Sequence, residues 1–290
     1  MRGLIVTADD FGAALAVNEA VETAHREGVL TAASLMVGGP AAADAVTRAR
    51  AMPTLRVGLH LVLVEGRPVL PMAEVGRLVD SAGWFRADMA RAGASMFFDP
   101  AARRQLAAEI EAQFRAFAQT GLCLDHVNAH KHFHLHPTIA SLIVKIGRRH
   151  GLRAVRIPIE PRGALALAEP AGRYRRDLVV DLWSALARRR FRNAGLLAPD
   201  HVFGLRWSGA MTARRLRALI ENLPQGLSEI YLHPATRGGF AGAAAGYGYS
   251  DELAALIAPE VLDAAKTGAI RLGGFVDFAG PRGTARGVAA

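Results

Sequence analysis

The chain has 290 residues, of which 51% are hydrophobic and 21% are charged, and its formal net charge is +9. This composition suits a globular protein with a large core. No apolar run reaches the roughly 18 residues of a membrane span, and the N-terminus lacks the features of a signal peptide, so we expect a cytoplasmic protein. The single cysteine, Cys123, excludes an intrachain disulfide and a cysteine-rich zinc site.

Much of the positive charge is arginine, and it is gathered in two clusters. These are Arg173, Arg175 and Arg176, and then Arg188, Arg189, Arg190 and Arg192. A basic surface attracts nucleic acid, anionic lipid or acidic substrates. Arginine on solvated helix faces, in an arginine-rich proteome, is the alternative explanation. Because no zinc-finger spacing or RNP-type aromatic sequence accompanies the charge, we expect no nucleic-acid partner.

Strand-like and helix-like segments alternate along the chain, starting with a short apolar strand that ends in two acids. The predicted strands cover residues 4–8, 31–37, 56–64, 123–128, 154–158, 201–205, 228–233 and 269–275. The predicted helices cover residues 14–27, 41–51, 105–120, 138–149, 178–192, 212–223 and 259–267. Short apolar strands in series with helices indicate an α/β protein, with a parallel sheet covered by helices.

Two architectures fit this pattern, a barrel and an open doubly wound sheet. No glycine-rich phosphate loop follows the first strand. Polar residues instead stand at the C-terminal ends of several strands, namely Asp9, Asp10, His60, His130, Arg156 and His233. A barrel brings such ends to one mouth, where barrel enzymes keep their chemistry. We therefore expect a distorted (β/α) barrel of seven or eight units, forming a single domain over residues 1–290.

Residues 66–100 interrupt the alternation and are too long for a plain loop between a strand and a helix. The segment is rich in proline, methionine and aromatic residues. Its place after the third strand favours a lid or a substrate wall beside the mouth. An ordinary packed insertion is the alternative.

Histidines form the most unusual feature of the sequence. His60 lies within a predicted strand, where a buried histidine in isolation is more often a core residue than a metal ligand. Five further histidines, however, fall within eleven residues and would line one side of an extended segment. They are His126, His130, His132, His134 and His136. A metal or a polyhydroxyl ligand would explain this cluster, although spacing does not identify which members ligate.

Asp9 and Asp10 close the first strand. Adjacent carboxylates repel one another unless a cation or a proton separates their roles. Since neighbouring side chains at a strand end diverge, one acid can ligate a metal while the other stays free beside a bound water. This division suits metal-assisted hydrolysis, in which the metal lowers the pKa of water and the free carboxylate accepts its proton. An Asx turn or a helix N-cap explains one of the two acids but not both.

His233 ends the strand over residues 228–233 and shares a face with Glu229 and Tyr231 by parity. Near a tetrahedral intermediate, an imidazole can protonate a departing amine. A structural histidine before Pro234 is the alternative.

Four segments of the chain resemble the signature segments of the YdjC/ChbG-like carbohydrate deacetylases. They cover residues 9–12, 58–61, 125–132 and 229–234. The wider sequence around residues 32–37, 63–68 and 130–137 resembles the HpnK-type members associated with hopanoid biosynthesis. The resemblance implies hydrolytic removal of the acetyl group from an N-acetylglucosamine moiety on a glycosylated hopanoid lipid, which releases acetate and a free amine.

The resemblance also implies roles for five residues at the barrel mouth. Asp10, His60 and His130 are expected to hold one divalent metal ion. Asp9 corresponds to the general base and His233 to the general acid. Aspartate and histidine ligands with open water positions suit Zn²⁺ or Mg²⁺, and Mn²⁺ or Co²⁺ fit the same set.

The expected substrate-binding residues are Arg156, His132, His134 and Glu229. Within this set, Arg156 corresponds to an arginine that orients the base or the substrate. Asn128 departs from the pattern of chitooligosaccharide-type members, which tend to carry an acid there. Chitooligosaccharides are the alternative substrates.

A lipid-linked substrate suggests a role for the basic segment 178–192. Its apolar stripe followed by arginines can lie on an anionic membrane at the inner surface, and an inward-packed barrel helix is the alternative. Two other functional classes fit less well, a metal-dependent phosphoesterase and a sugar-binding protein without turnover. The sequence is also compatible with an oligomer.

Overall fold

The computed structural model describes residues 2–170, 172, 178–267 and 269–280. Its strands are β1 Arg2–Phe11, β2 Ala32–Leu35, β3 Arg56–Leu61, β4 Val127–Ala129, β5 His201–Phe203, β6 Gly226–Leu232 and β7 Ile270–Leu272. Its helices are α1 Leu15–Glu27, α2 Ala42–Arg50, α3 Met72–Val75, α4 Met89–Phe98, α5 Pro100–Gln119, α6 Pro137–Arg149, α7 Arg162–Ala168, α8 Leu178–Asn193, α9 Ala213–Glu221, α10 Tyr249–Ile257, α11 Pro259–Thr267 and α12 Phe275–Phe278. A 3₁₀ turn, His130–Leu135, joins β4 to α6.

The strands form one parallel sheet in the order β4-β3-β2-β1-β6-β5, with β7 paired to the start of β1. The central strand β1 is almost entirely buried, because helices cover the sheet and its apolar residues have no solvent face. The predicted α/β class and parallel sheet are confirmed, whereas the predicted distorted barrel of seven or eight units is a curled, seven-stranded half-barrel. All strand carboxyl ends point the same way, so the polar residues at those ends meet at one mouth.

The edges of the regular sheet, β4 and β5, are connected by an irregular segment over residues 154–159. Val127 pairs with Val155, and Ala154 pairs with Leu197, each as an isolated bridge. The amide of Val202 in β5 donates to the carbonyl of Ile159 at 3.0 Å. The predicted strand over residues 154–158 is therefore wrong as a regular strand, because it makes single bridges instead of a ladder. The regular sheet is a curled half-barrel.

The insertion over residues 66–100 contains α3 and α4 and packs on α5. Glu109 of α5 is buried and accepts hydrogen bonds from the amides of Val69 and Leu70 at 2.9 and 3.0 Å. At its end, Asp99 caps α5 by accepting from the amide of Ala101 at 2.8 Å. The insertion is therefore a packed structure, and one of its residues, Met89, reaches the cavity described below.

The helix α8 contains the whole of the basic segment 178–192. Its inner face is formed by Ser184, Ala187 and Phe191, which are buried. Leu182, Trp183 and Leu186 are 63%, 45% and 54% exposed, so the predicted apolar stripe does not pack wholly inward. The first arginine cluster, at residues 173–176, lies outside the described residues. Within the described part of the chain, no helix is long and apolar enough to cross a membrane.

Candidate active site

A cavity of about 830 Å³ opens at the carboxyl ends of the strands. The five residues predicted to hold the metal and perform the chemistry all line it, namely Asp9, Asp10, His60, His130 and His233. They come from the ends of β1, β3 and β6 and from the residue that follows β4. The parallel sheet thus brings together side chains that are up to 224 residues apart in the sequence.

Asp10, His60 and His130 form a compact set of ligand atoms. Asp10 Oδ1 lies 3.3 Å from His60 Nε2 and 3.4 Å from His130 Nδ1. Asp10 Oδ1 and His60 Nε2 are buried and have no hydrogen-bond partner among the described residues. Buried polar atoms without partners are costly, so their convergence indicates a missing ligand. One carboxylate oxygen and two imidazole nitrogens fit a divalent cation with open positions.

A buried amide, Asn128, fixes the orientation of this set. Its Oδ1 accepts a hydrogen bond from His60 Nδ1 at 2.7 Å, so the lone pair of His60 Nε2 faces Asp10. Its Nδ2 donates at 3.0 Å to Asp9 Oδ1 and at 3.0 Å to Ser34 Oγ. Each hydrogen-bonding direction of Asn128 is thereby satisfied, and the amide joins an expected metal ligand to the expected base.

Asp9 is buried in an ion pair with Arg156, which also donates to Glu229 at 2.6 and 2.8 Å. Burial alone would raise the pKa of the Asp9 carboxyl, but the adjacent Arg156 guanidinium and the nearby His60 lower it below its usual range. Asp9 is therefore ionised at neutral pH, which a general base requires. Thr7 donates to Glu229 at 2.9 Å and completes this buried network.

Three of the four predicted substrate-binding residues do not line the cavity. Arg156, Glu229 and His134 are fully buried beneath it. His134 Nε2 donates to the carbonyl of Arg156 at 2.8 Å, and burial lowers the pKa of its imidazole to about 3. A role for these three residues in substrate binding therefore stays a prediction, and the structure places none of them in the cavity wall. Arg156 contacts Asp9 directly, whereas Glu229 and His134 contact Arg156, through its guanidinium group and its backbone carbonyl respectively.

The fourth predicted substrate-binding residue, His132, does line the cavity. Its Nε2 lies 2.9 Å from the hydroxyl of Tyr231. Burial lowers the pKa of His132 well below its ordinary value and raises that of Tyr231 well above its own. Both groups are therefore neutral at physiological pH and present a polar, uncharged part of the wall.

His233 lines the cavity and is held through its backbone. Its amide donates to the buried carboxylate of Glu252 at 2.6 Å. The ring contacts Tyr231 and Tyr247, with centroids 5.8 and 5.3 Å apart. Nδ1 of His233 is buried and has no hydrogen-bond partner among the described residues.

The predicted row of histidines on one side of an extended segment is wrong. The chain turns at the end of β4, where Lys131 and His132 adopt left-handed backbone angles. His126, before the turn, is a core residue that contacts Asp125 and Ser34 at 2.9 and 3.0 Å and stacks on Phe275. This turn separates His130, at the metal set, from the remaining histidines.

Several cavity residues were not identified from the sequence. They are Glu65, Met89, Lys131, Leu205, Ser208, Tyr247, Tyr249 and the small residues 242–245. Tyr231 also lines the cavity. The sequence carries a signal for it, because residues two apart in a strand lie on the same face and Tyr231 is two residues before His233. The other positions lie on loops, in the 3₁₀ turn or at the first residue of a helix, where spacing carries no periodic signal.

A second cavity, of about 880 Å³, lies near the start of β6 and is lined by Arg148, Arg153 and Arg192. These guanidinium groups already donate to backbone carbonyls at Ala194, at residues 279 and 280, and at Ala198. Of these two cavities, the first brings three residues that could hold a metal ion together with the buried carboxylate of Asp9, so it is the candidate active site.

Comparison with known proteins agrees with this geometry. The family model of YdjC-like proteins matches residues 3–267. This chain belongs to the YdjC-like family. Among YdjC-like relatives, the carbohydrate deacetylase of Geobacillus stearothermophilus is 31% identical over 236 residues, which are 81% of this chain and 80% of that protein. The carbohydrate deacetylase of Brevibacillus brevis is 38% identical over 156 residues, which are 54% of this chain.

The matches to some YdjC-like relatives are partial. The chain spans 58% of the length of the Brevibacillus brevis protein and 60% of the carbohydrate deacetylase of Oceanobacillus iheyensis. One solved structure covers nearly the whole chain, that of a protein from Enterococcus faecalis V583 named as a candidate for cellobiose-phosphate cleavage. It has a TM-score of 0.73 and 24% identity, and the match covers 96% of this chain and 99% of that one. This similarity establishes the shared fold.

Proposed function

We propose that this chain is a metal-dependent carbohydrate N-deacetylase that hydrolyses the acetamido group of an N-acetylglucosamine moiety. One observation carries the proposal. A compact set of two imidazoles and a carboxylate shares a cavity with an ionised acid, Asp9, and with a half-buried imidazole, His233. Carbohydrate deacetylases of the YdjC-like family, such as the Geobacillus stearothermophilus protein, support the same assignment.

Asp10, His60 and His130 would hold the metal ion, consistent with their partnerless ligand atoms. A divalent ion bound there would polarise the acetamido carbonyl and lower the pKa of water. Zn²⁺ and Mg²⁺ are the proposed ions, and Mn²⁺ or Co²⁺ suit the same ligands.

The remaining chemistry belongs to two residues of the chain. Asp9 accepts a proton from water as the water oxygen attacks the carbonyl carbon. His233 donates a proton to the sugar nitrogen as the C–N bond breaks, so the products are acetate and a free amine. Arg156 and Asn128 hold the Asp9 carboxylate between them, which keeps both its charge and its direction fixed.

The test is hydrolysis of N,N′-diacetylchitobiose by the purified, metal-loaded protein, with acetate and new primary amine measured together. We expect the two products in equal amounts. The Asp9→Asn variant should lose about 10²- to 10⁴-fold in rate with its metal content retained. The matched control is Asp263→Asn, at an exposed acid of α11, which should retain the full rate. A fully active Asp9→Asn variant would show that the base is misassigned, and phosphate release from phosphoesters would favour a phosphoesterase.

We propose further that the sugar is linked to a hopanoid lipid and that the protein works at the inner membrane surface. The sequence resemblance to HpnK-type members supports the lipid. Exposed Leu182, Trp183 and Leu186 on α8, followed by arginines, support contact with an anionic membrane. Trp183 also donates from Nε1 to the carbonyl of Leu135 at 3.0 Å, which places this face beside the turn that follows the metal ligand His130.

Two measurements test the lipid proposal. Acetate release is compared between an N-acetylglucosaminyl hopanoid and N,N′-diacetylchitobiose, and the hopanoid should be preferred. Vesicle flotation is compared with and without anionic lipid, with Leu182→Ser/Leu186→Ser as the variant. Preference for chitobiose would remove the lipid assignment while the deacetylase assignment stands. Equal absence of flotation in both vesicle types, with hopanoid activity intact, would remove the membrane contact.

A further inference from the structure

Four residues other than glycine have left-handed backbone angles among the described residues. They are Asp10, Glu65, Lys131 and His132, with φ values of 62°, 50°, 55° and 54°. All four line the candidate active-site cavity. Left-handed angles are unfavourable for residues with a side chain, and such residues cluster where function requires them. Asp10 belongs to the metal set and His132 contacts Tyr231, whereas Glu65 and Lys131 have no part in the proposed chemistry.

Glu65 and Lys131 form an ion pair at the edge of this cavity. Lys131 Nζ lies 2.8 and 3.0 Å from the two carboxylate oxygens of Glu65. Glu65 follows β3 and Lys131 follows the metal ligand His130, so the pair connects two strand ends next to the metal set. The side chains are 34% and 45% exposed. An exposed ion pair stabilises the fold by less than two strained backbone positions destabilise it. Stability therefore does not explain why these two residues are present.

We propose that Glu65 and Lys131 form a subsite for the hydroxyl groups of a neutral sugar ring, an inference that rests on the proposed function. The carboxylate can accept hydrogen bonds from sugar hydroxyls, and the ammonium group can donate to them. Hydrogen bonds to charged groups are among the strong ones, so each contact discriminates between ligands. Because the two charges cancel and Glu65 would repel a phosphate, the subsite selects a neutral polyhydroxyl group over an anionic one.

The left-handed backbone gives this subsite its position. Glu65 lies four residues beyond the end of β3 and Lys131 two residues beyond the end of β4, and at both positions the left-handed angles accompany a charged side chain that lines the cavity. A glycine would adopt these angles without strain but would supply no charged group. The side chains are therefore retained at a cost to stability, which a measurement of both stability and binding can detect.

The experiment measures binding of N,N′-diacetylchitobiose by titration calorimetry to the metal-loaded Asp9→Asn protein, in which turnover is suppressed. In that background, Glu65→Gln and Lys131→Met should each raise the dissociation constant about tenfold. The loss of binding free energy in the double variant should be much smaller than the sum of the losses in the two single variants, because the two residues act as one unit. The matched control is Glu221→Gln, which breaks the exposed ion pair of Arg217 and Glu221 on α9 and should leave binding unchanged.

A further variant, Glu65→Gly, separates a binding role from a structural one. It should weaken sugar binding while the unfolding temperature stays equal or rises, since glycine relieves the left-handed strain. A fall in unfolding temperature with unchanged binding would overturn the proposal. So would unchanged affinity in Glu65→Gln and Lys131→Met, or a parent protein that binds no disaccharide. Wild-type protein that binds the sugar but releases no acetate would defeat the deacetylase assignment and leave the subsite standing.

Discussion

Asn128 accepts a hydrogen bond from His60 Nδ1 at 2.7 Å. The same buried side chain donates from Nδ2 to Asp9 at 3.0 Å. A proposed metal ligand and the proposed general base are therefore oriented by opposite ends of one amide. A change at Oδ1 affects metal binding through His60, whereas a change at Nδ2 affects proton transfer through Asp9. Different substitutions at Asn128 can therefore separate the two steps.

Replacing Asn128 with leucine removes its three hydrogen bonds, to His60, Asp9 and Ser34. We expect metal affinity to fall about 10- to 100-fold, because the orientation and basicity of a ligating histidine depend on the partner of its other ring nitrogen. Asn128→Asp keeps an oxygen acceptor for His60, so its metal affinity should remain near that of the wild type. The same variant places a second acid against Asp9, and its rate of acetate release should fall. Metal titration monitored by competition with a chelating dye measures the first effect, and equal affinities in all three proteins would contradict it.

Arg156 carries the only positive charge in contact with the buried Asp9 and Glu229 carboxylates among the described residues. Arg156→Met leaves both carboxylates buried without a counter-charge. We expect the free energy of unfolding to fall by about 3–5 kcal/mol, as for other buried pairs that lose one partner. Urea denaturation at neutral pH measures the change. Arg217→Met, in an exposed pair, is the control and should change stability little. Equal stability of both variants would mean that the Arg156 network does not exist as described.

His134 predicts a pH dependence of stability. Burial lowers the pKa of its imidazole from an ordinary 6.5 to about 3 in the folded protein. Between these values the unfolded chain binds a proton at this residue and the folded chain does not, so stability falls as the pH falls from 6.5 towards 3. His134→Gln removes this titration, so its free energy of unfolding should fall less steeply. Denaturation curves at neutral and mildly acidic pH compare the two proteins, and parallel slopes would contradict the prediction.

The fold and the residues at strand ends could be predicted because both follow from local patterns. The sequence shows an apolar run that ends in Asp9 and Asp10, and this pattern predicts a strand with two acids at its end. Parallel strands in a barrel bring such ends together. The selection of His130 from its neighbours depended on the family resemblance, since the left-handed turn at Lys131 and His132 has no signal in the spacing. That turn is why the prediction of one continuous histidine row was wrong.

The supporting contacts could not be predicted from the sequence. Asn128 contacts partners 68, 94 and 119 residues away, so its role depends on the register of three strands. Arg156 stands in an irregular segment, where strand periodicity gave no reliable direction for its side chain. The ion pair of Glu65 and Lys131 joins two loops, and its distance depends on backbone angles that composition does not specify.

The central claim is that Asp10, His60 and His130 hold one metal ion on which amide hydrolysis depends. The most direct measurement removes metal with a chelator and follows acetate release from N,N′-diacetylchitobiose as Zn²⁺ is added back in small steps. The account predicts negligible release without metal and a linear rise that ends at one equivalent per chain, with no such recovery in His130→Ala. Full acetate release by the metal-free protein would contradict it.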